Sequence, residues 1–266
     1  TKMKKITLED ILDPITIKTF FTEYWGKKHL VIRRNKFKNL FTWNDFNNML
    51  NRYPDIKGLQ IIKDHGRWCL DKVRKGKMKA PMLSKEEVYQ IWAKGNTFVL
   101  PFSEYENKDL VDISFAFERY FGPGYCNVYA SPRGNSKSFP AHADQTENFL
   151  FHTEGQTKWT IYEEFAPLKK GKPEKILDEF ILDAGDLLYI PQFQFHMVET
   201  IGPRILCSVH FHNKDKQSLS SFRITTDKEN KRNKWYNWVP QLYYGDDHKK
   251  IDWPKMQSDH WKKKLL

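Results

Sequence analysis

Between Tyr125 and His212 the chain passes through a succession of short β-type runs: Tyr125–Ala130, Phe149–Phe151, Lys158–Tyr162, Glu179–Leu182, Leu187–Ile190, Met197–Thr200 and Ile205–His212. Gly, Pro, Asn and Asp punctuate them. Short strands at such spacing bury their apolar faces by closing on one another, so this half of the chain is expected to form a barrel or sandwich.

The first half reads differently. Ile17, Phe20, Phe21, Tyr24 and Trp25 recur at the spacing of one helical face, with Thr16 placed to cap and Gly26 to stop the helix. Leu30-Val31-Ile32 reads as a short buried strand. Thr42 with Asp45 opens a second helix, which Pro54 closes. Ser84 with Glu87 forms a capping box ahead of Val88, Ile91 and Trp92, and Gly95 ends that helix; a fourth spans about Lys108 to Tyr120, before Gly122-Pro123-Gly124. The expected architecture is mainly β with flanking helices. Its parts are a lead-in of helices and a strand over 1–124, a β core over 125–213, and a basic, aromatic-rich C-terminal extension over 214–266.

Charge narrows the partners without choosing one. There are 44 basic and 33 acidic residues, a net of +11. Residues 214–266 hold 13 of the basic and 7 of the acidic side chains, more than half of the excess. Smaller basic clusters at Lys72–Lys79 and Lys169–Lys175 are broken by glycine or proline and read as loops. Nucleic acid is therefore an allowed partner but not the favoured one. The longest apolar runs, such as Leu187-Leu188-Tyr189-Ile190, are far short of the ~20 residues of a bilayer span, and no membrane partner is expected. Cys69, Cys126 and Cys207 form neither an even set nor a CxxC pair, which suits a reducing compartment. With no leader pattern at the start of the sequence, the expected location is cytoplasmic. The tryptophans of the extension make a homodimer through that segment a further expectation.

The chemistry concentrates at His142-Ala143-Asp144. Side chains two apart on a strand share a face, so His142 and Asp144 project together. His196 follows 54 residues later, just beyond Gly185-Asp186-Leu187-Leu188-Tyr189-Ile190-Pro191. Two imidazoles and one carboxylate on one side of an ion make the facial triad of non-haem Fe(II) oxygenases, with positions open for a co-substrate and dioxygen. His-x-Asp alone is a weak signal; the order of His-x-Asp, glycine turn, tryptophan strand (Gly155-Gln156-Thr157-Lys158-Trp159), Gly-Asp-Leu-Leu-Tyr-Ile-Pro and histidine is a stronger one.

In these residues the chain resembles the Jumonji-C and related cupin-type 2-oxoglutarate oxygenases, nearest the branch of the ribosomal oxygenases and the asparaginyl hydroxylase acting on hypoxia-inducible factor. The resemblance covers roughly Ile11 to Asn213 and includes the lead-in Phe20–Ile32. It implies a double-stranded β-helix (cupin or jelly-roll) core with N-terminal helices and a helical C-terminal extension, and Fe(II) held by His142, Asp144 and His196. It implies 2-oxoglutarate as co-substrate and dioxygen as oxidant, with no catalytic side chain needed beyond the metal ligands. Asn127, Asn148 and Ser208 match positions facing the co-substrate, and Tyr129 lies on a strand that faces co-substrate and substrate. By alternation Arg204, Ser208 and His210 share a face of the last strand, with His210 counted on the substrate side. The implied activity is hydroxylation of a residue of a protein or peptide. A hydroxylase of nucleic acid or a small metabolite, and a catalytically silent metal-binding cupin, are the alternatives.

One position departs from that pattern. The family usually places Lys or Arg two residues before the strand tryptophan, against the distal carboxylate of 2-oxoglutarate, and here Thr157 stands there. Either a bulge turns Lys158 inward, or Thr157 and Ser208 work with a cation from elsewhere, Arg204 being the first candidate, or no 2-oxoglutarate binds. The branch also suggests a winged-helix module longer than the residues after Asn213.

Overall fold

The computed structural model describes residues 6–211 apart from 35, 53–58, 64–65, 70–73, 76–77, 80–83, 123, 137 and 167–171. The expected C-terminal extension and the dimer through it fall outside the described residues, as do Lys72 and Lys77 of the basic cluster, whose Arg74–Lys75 and Met78–Lys79 pair as two short strands where a loop is expected.

The lead-in begins with helix α1 (Leu8–Leu12), whose Thr7 and Asp10 cap each other reciprocally. Helix α2 (Ile17–Thr19) is capped by Thr16 as the sequence predicts, but it widens into a π-helical segment, Phe20–Tyr24, closed by a bond from the Trp25 N–H to the Phe20 carbonyl. The extra residue per turn fans the aromatic side chains outward. Phe20 meets Phe149 and Tyr189 edge-on or tilted, and Trp25 stacks on Phe121 at 4.6 Å between centroids. Strand β1 (Leu30–Ile32) follows, then α3 (Trp43–Asn51) with its Thr42/Asp45 box. Next come strands β2 (Gln60–Lys63), β3 (Gly66–Cys69), β4 (Arg74–Lys75) and β5 (Met78–Lys79), and helix α4 (Lys85–Ala93), which opens on Ser84 and Glu87. Strand β6 (Thr97–Pro101) and the long helix α5 (Lys108–Phe121) complete this half. Among the described residues no helix is long and apolar enough to cross a membrane.

The second half supplies β7 (Tyr125–Ser131), β8 (His142–Ala143), β9 (Glu147–Glu154), β10 (Thr157–Phe165), β11 (Ile176–Leu182), β12 (Leu187–Ile190), β13 (Gln194–Thr200) and β14 (Arg204–Phe211). They build two facing sheets. The larger runs β1-β12-β9-β14-β7-β6-β2-β3, and the smaller β11-β10-β13-β8. Strands from before residue 124 thus extend the large sheet at both ends.

The large sheet is buried on both faces, and alternation assigns its residues to two cores. From β9 and β14, Phe149, Phe151, Ile205, Cys207, Val209 and Phe211 face the helices, where Phe117 of α5 packs 4.5 Å from Phe149. Each fully buried phenylalanine there contributes roughly 1.5–3 kcal/mol. Leu150 and Leu206 face the other way and join Trp159, Ile161, Leu188, Ile190 and Val198 between the sheets. That double burial is why these strands read as near-continuous apolar runs.

Candidate metal centre

Strand β8 is only two residues long, and its pairing sets the site. His142 lies directly opposite His196 of β13 in an antiparallel register, with Phe195 opposite Ala143. Cross-strand neighbours are the closest side chains a sheet offers, and the two imidazole centroids stand 4.5 Å apart. Beyond β8 the Phe193 N–H donates to the Asp144 carbonyl at 2.8 Å, which keeps Asp144 in line and on the same face as His142. The donor atoms of His142, Asp144 and His196 all lie within 4.8 Å of one another.

The tautomers follow from the carbonyls. Nδ1 of His142 is 2.8 Å from the Pro140 carbonyl, and Nδ1 of His196 is 3.0 Å from that of Gln194. A carbonyl only accepts, so each Nδ1 carries a proton and Nε2 is the ring nitrogen turned toward the site. Those Nε2 atoms stand 3.9 and 3.7 Å from the two Asp144 oxygens. His196 is buried, and burial lowers its pKa to about 4, so the ring is neutral. Burial raises the proton affinity of Asp144, but the imidazoles of His142, His196 and His210 and a hydrogen bond from Asn148 outweigh it and bring the carboxyl to about 2. The neutral His196 ring and the anionic Asp144 carboxylate are in the protonation states that a divalent cation requires, and Nε2 of His142 converges on the same point.

Behind Asp144 runs a polarised chain of hydrogen bonds. Asn148 Nδ2 donates to Asp144 Oδ2 at 2.7 Å, and Asn148 Oδ1 accepts from Thr146 Oγ1 at 2.7 Å and sits 2.6 Å from His210 Nδ1. The Asn127 amide is 3.3 Å from His210 Nε2. The arrangement is self-consistent if His210 donates from Nδ1 and accepts at Nε2. Asn127 and Asn148 accordingly stand behind the carboxylate and are not among the residues that line the pocket. His210 both completes the chain and lines the pocket.

The pocket is a cleft of about 410 Å³ that opens on the triad and is walled by Tyr129, Leu150, Trp159, Val198, Leu206 and Ser208, with Arg204 among its lining residues. The expected shared face of Arg204, Ser208 and His210 is present. Lys158 is not on this wall. Thr157, Lys158 and Trp159 pair in unbroken register with Leu182, Ile181 and Phe180, and the first irregularity comes only after Ile161. With no bulge to turn it, Lys158 points outward, 41 % exposed, and pairs with Glu179 at 3.0 Å. Thr157 faces inward and is fully buried, but its hydroxyl accepts from the Trp159 indole at 2.9 Å and it does not line the pocket.

Three residues outside the predicted site set support it. Thr146 continues the spacing of two from His142 through Asp144 to Asn148, a signal that was present. His152 accepts the Trp159 indole N–H at 3.0 Å and is held neutral, its pKa lowered to about 3 by burial and by nearby Arg204. Ser131 holds Arg204. The last two are set by cross-strand placement, which no local spacing discloses.

Residues 99–219 match the family model of the JmjC domain. That segment is similar to JmjC domains. Over 210 residues the chain is 30% identical to rat ribosomal oxygenase 2, covering 72% of this chain and 43% of that protein. It is 26% identical over 222 residues to the Dictyostelium discoideum bifunctional lysine-specific demethylase and histidyl-hydroxylase NO66, covering 76% and 41%. The chain thus spans less than half the length of these curated relatives. A solved structure of the ribosomal oxygenase YcfD from Escherichia coli, in complex with cobalt and 2-oxoglutarate, superposes with a TM-score of 0.55 at 14% identity, over 88% of this chain and 68% of that one. That likeness shows a shared fold. The matched segment contains His142, Asp144 and His196, and it starts within β6, so the β1, β2 and β3 additions to the large sheet come from outside it.

Proposed function

We propose that this chain is an Fe(II)- and 2-oxoglutarate-dependent oxygenase that hydroxylates a residue of a protein. The observation that carries the reading is the convergence of Nε2 of His142, Nε2 of His196 and the Asp144 carboxylate in a cleft that they share with Arg204 and Ser208. The names of the relatives, ribosomal oxygenase and histidyl-hydroxylase, favour a protein substrate over the other classes.

His142, Asp144 and His196 would hold the iron, and 2-oxoglutarate bound with it supplies, with dioxygen, the oxidising power that converts C–H to C–OH and releases succinate and carbon dioxide. The chain's own residues then have three tasks. The carbonyls of Pro140 and Gln194 fix the imidazole tautomers, and Asn148 fixes the carboxylate, so the donor atoms are oriented before metal arrives. Leu150, Trp159, Val198 and Leu206 present apolar surface around the co-substrate and exclude water from the cleft. His142 and Asp144 remain about one-third exposed while His196 is buried, so a target side chain reaches the centre from the His142 side. No step requires a side chain to exchange a proton.

The test is conversion of 2-oxoglutarate to succinate by the full chain with added Fe(II), together with a 16 Da gain on a ribosomal protein or derived peptide followed by mass spectrometry. His142→Ala should abolish both. Iron binding without any turnover, with every peptide tried, would leave the catalytically silent alternative standing in its place.

A further inference from the structure

Arg204 is a buried guanidinium without a carboxylate. It opens β14 at 1 % exposure, and no ion pair joins it to any acidic side chain among the described residues. Its Nε donates to Ser131 Oγ at 3.0 Å, and Ser131 Oγ lies 2.9 Å from Thr97 Oγ1, so the side chain is tethered from β7 and β6. Its Nη1 has no hydrogen-bond partner among the described residues. The Tyr129 ring lies 6.0 Å from the guanidinium carbon, a weak compensation. Arginine is almost never buried unpaired, because removing the charge from water costs more than neutral neighbours return. Such a group calls for an anion that the described residues do not supply.

The geometry limits which anion. Arg204 lines the same cleft as the His142–Asp144–His196 triad. Ser208, on the same face of β14, brings a second buried polar atom without a described partner, its Oγ. Meanwhile the position that usually carries the base is Thr157, whose hydroxyl is engaged with Trp159, and Lys158 faces away. One molecule able to engage both the triad and Arg204 carries a metal-chelating 2-oxo acid group and a second carboxylate.

We propose that Arg204 is the counter-ion of the distal carboxylate of the co-substrate, so that the positive charge has moved from the glycine-turn strand to the last strand and Arg204 selects a 2-oxo dicarboxylate over a 2-oxo monocarboxylate. This rests on the co-substrate reading above. Its test is binding, not turnover: anaerobic calorimetric titration of the Co(II)-loaded full chain with 2-oxoglutarate and with 2-oxopentanoate, which has the same length but lacks the far carboxylate. The wild type should prefer 2-oxoglutarate. Arg204→Met, similar in length but uncharged, should weaken 2-oxoglutarate on the order of 100-fold, as when one partner of a buried charge pair is removed, and leave 2-oxopentanoate within about threefold. Adding Thr157→Lys to Arg204→Met should recover at least about tenfold. Should Arg204→Met not fold, Arg204→Lys serves instead, with about a tenfold loss for 2-oxoglutarate alone. Equal 2-oxoglutarate affinity in wild type and variant overturns the assignment of Arg204 while leaving the co-substrate reading intact. A Co(II)-loaded wild type that binds neither acid overturns both.

Discussion

Replacing Asn148 with alanine tests whether the site is built from behind. The amide is fully engaged: it donates to Asp144 Oδ2 at 2.7 Å, accepts from Thr146 Oγ1 at 2.7 Å, and lies 2.6 Å from His210 Nδ1. Asn148→Ala removes the group that sets the rotation of the carboxylate and leaves the Thr146 hydroxyl and the His210 ring without that acceptor. Leaving a buried partner unpaired costs about 1–3 kcal/mol, so the urea midpoint should fall by that order. Loss of an outer hydrogen bond to a metal ligand costs about 10- to 100-fold in metal affinity, or about 1.4–2.8 kcal/mol. Calorimetric titration of the full chain with Co(II) reads the second quantity, and urea denaturation without metal the first. A variant that binds Co(II) within about threefold of wild type would show that Asp144 keeps its orientation unaided, and the positioning role of the Asn127–His210–Asn148 chain would be refuted.

Three further outcomes are expected. Gly155, at the β9–β10 turn with φ +70°, would place an added Cβ 1.9 Å from the Pro203 carbonyl oxygen and 3.0 Å from Arg204 Cα; Gly155→Ala should therefore lose about 2–5 kcal/mol, combining left-handed strain with a backbone clash, and a loss below about 1 kcal/mol in urea denaturation would contradict that geometry. Glu104 is buried, and burial lifts its carboxyl to about 7 despite the N–H of Cys126 donating to it. Because the folded form holds its proton more tightly than the unfolded one, this group's favourable contribution is complete below about 4.5 and is lost as pH rises through about 7; Glu104→Gln should gain on the order of 2 kcal/mol on wild type at pH 8 and little near pH 4, so parallel pH profiles would refute it. Lys158→Ala should leave both 2-oxoglutarate affinity and the denaturation midpoint unchanged, since Lys158 only pairs with Glu179 on the outer face; a fall in affinity in the calorimetric titration would return Lys158 to the site.

The sequence discloses what rests on local spacing. Thr16, Thr42 and Ser84 mark helix starts because their hydroxyls accept backbone N–H groups a turn away, and His142 with Asp144 shares a face through strand alternation. Strand extents are less legible. Phe149–Phe151 predicts a core of three residues, whereas β9 runs Glu147–Glu154, because both faces are buried and polar residues such as Asn148 and His152 are held inside it. The wide turn at Phe20–Tyr24 is invisible to helical periodicity, since it depends on where Tyr189 and Phe149 stand. Alternation correctly places Arg204, Ser208 and His210 together, but it cannot reveal that Lys158 has an outward acidic partner on β11 while Arg204 has no acidic partner among the described residues. Pairing across strands decides those roles, and it is a property of the closed barrel.

The alternation along β14 has a practical consequence for anyone redesigning this protein. Ile205, Cys207, Val209 and Phe211 look toward the helical layer, while Arg204, Leu206, Ser208 and His210 look into the cleft. A library confined to the second set can retune ligand preference while the first set goes on anchoring the scaffold, and a library confined to the first can raise heat resistance with the reaction chamber left as it is.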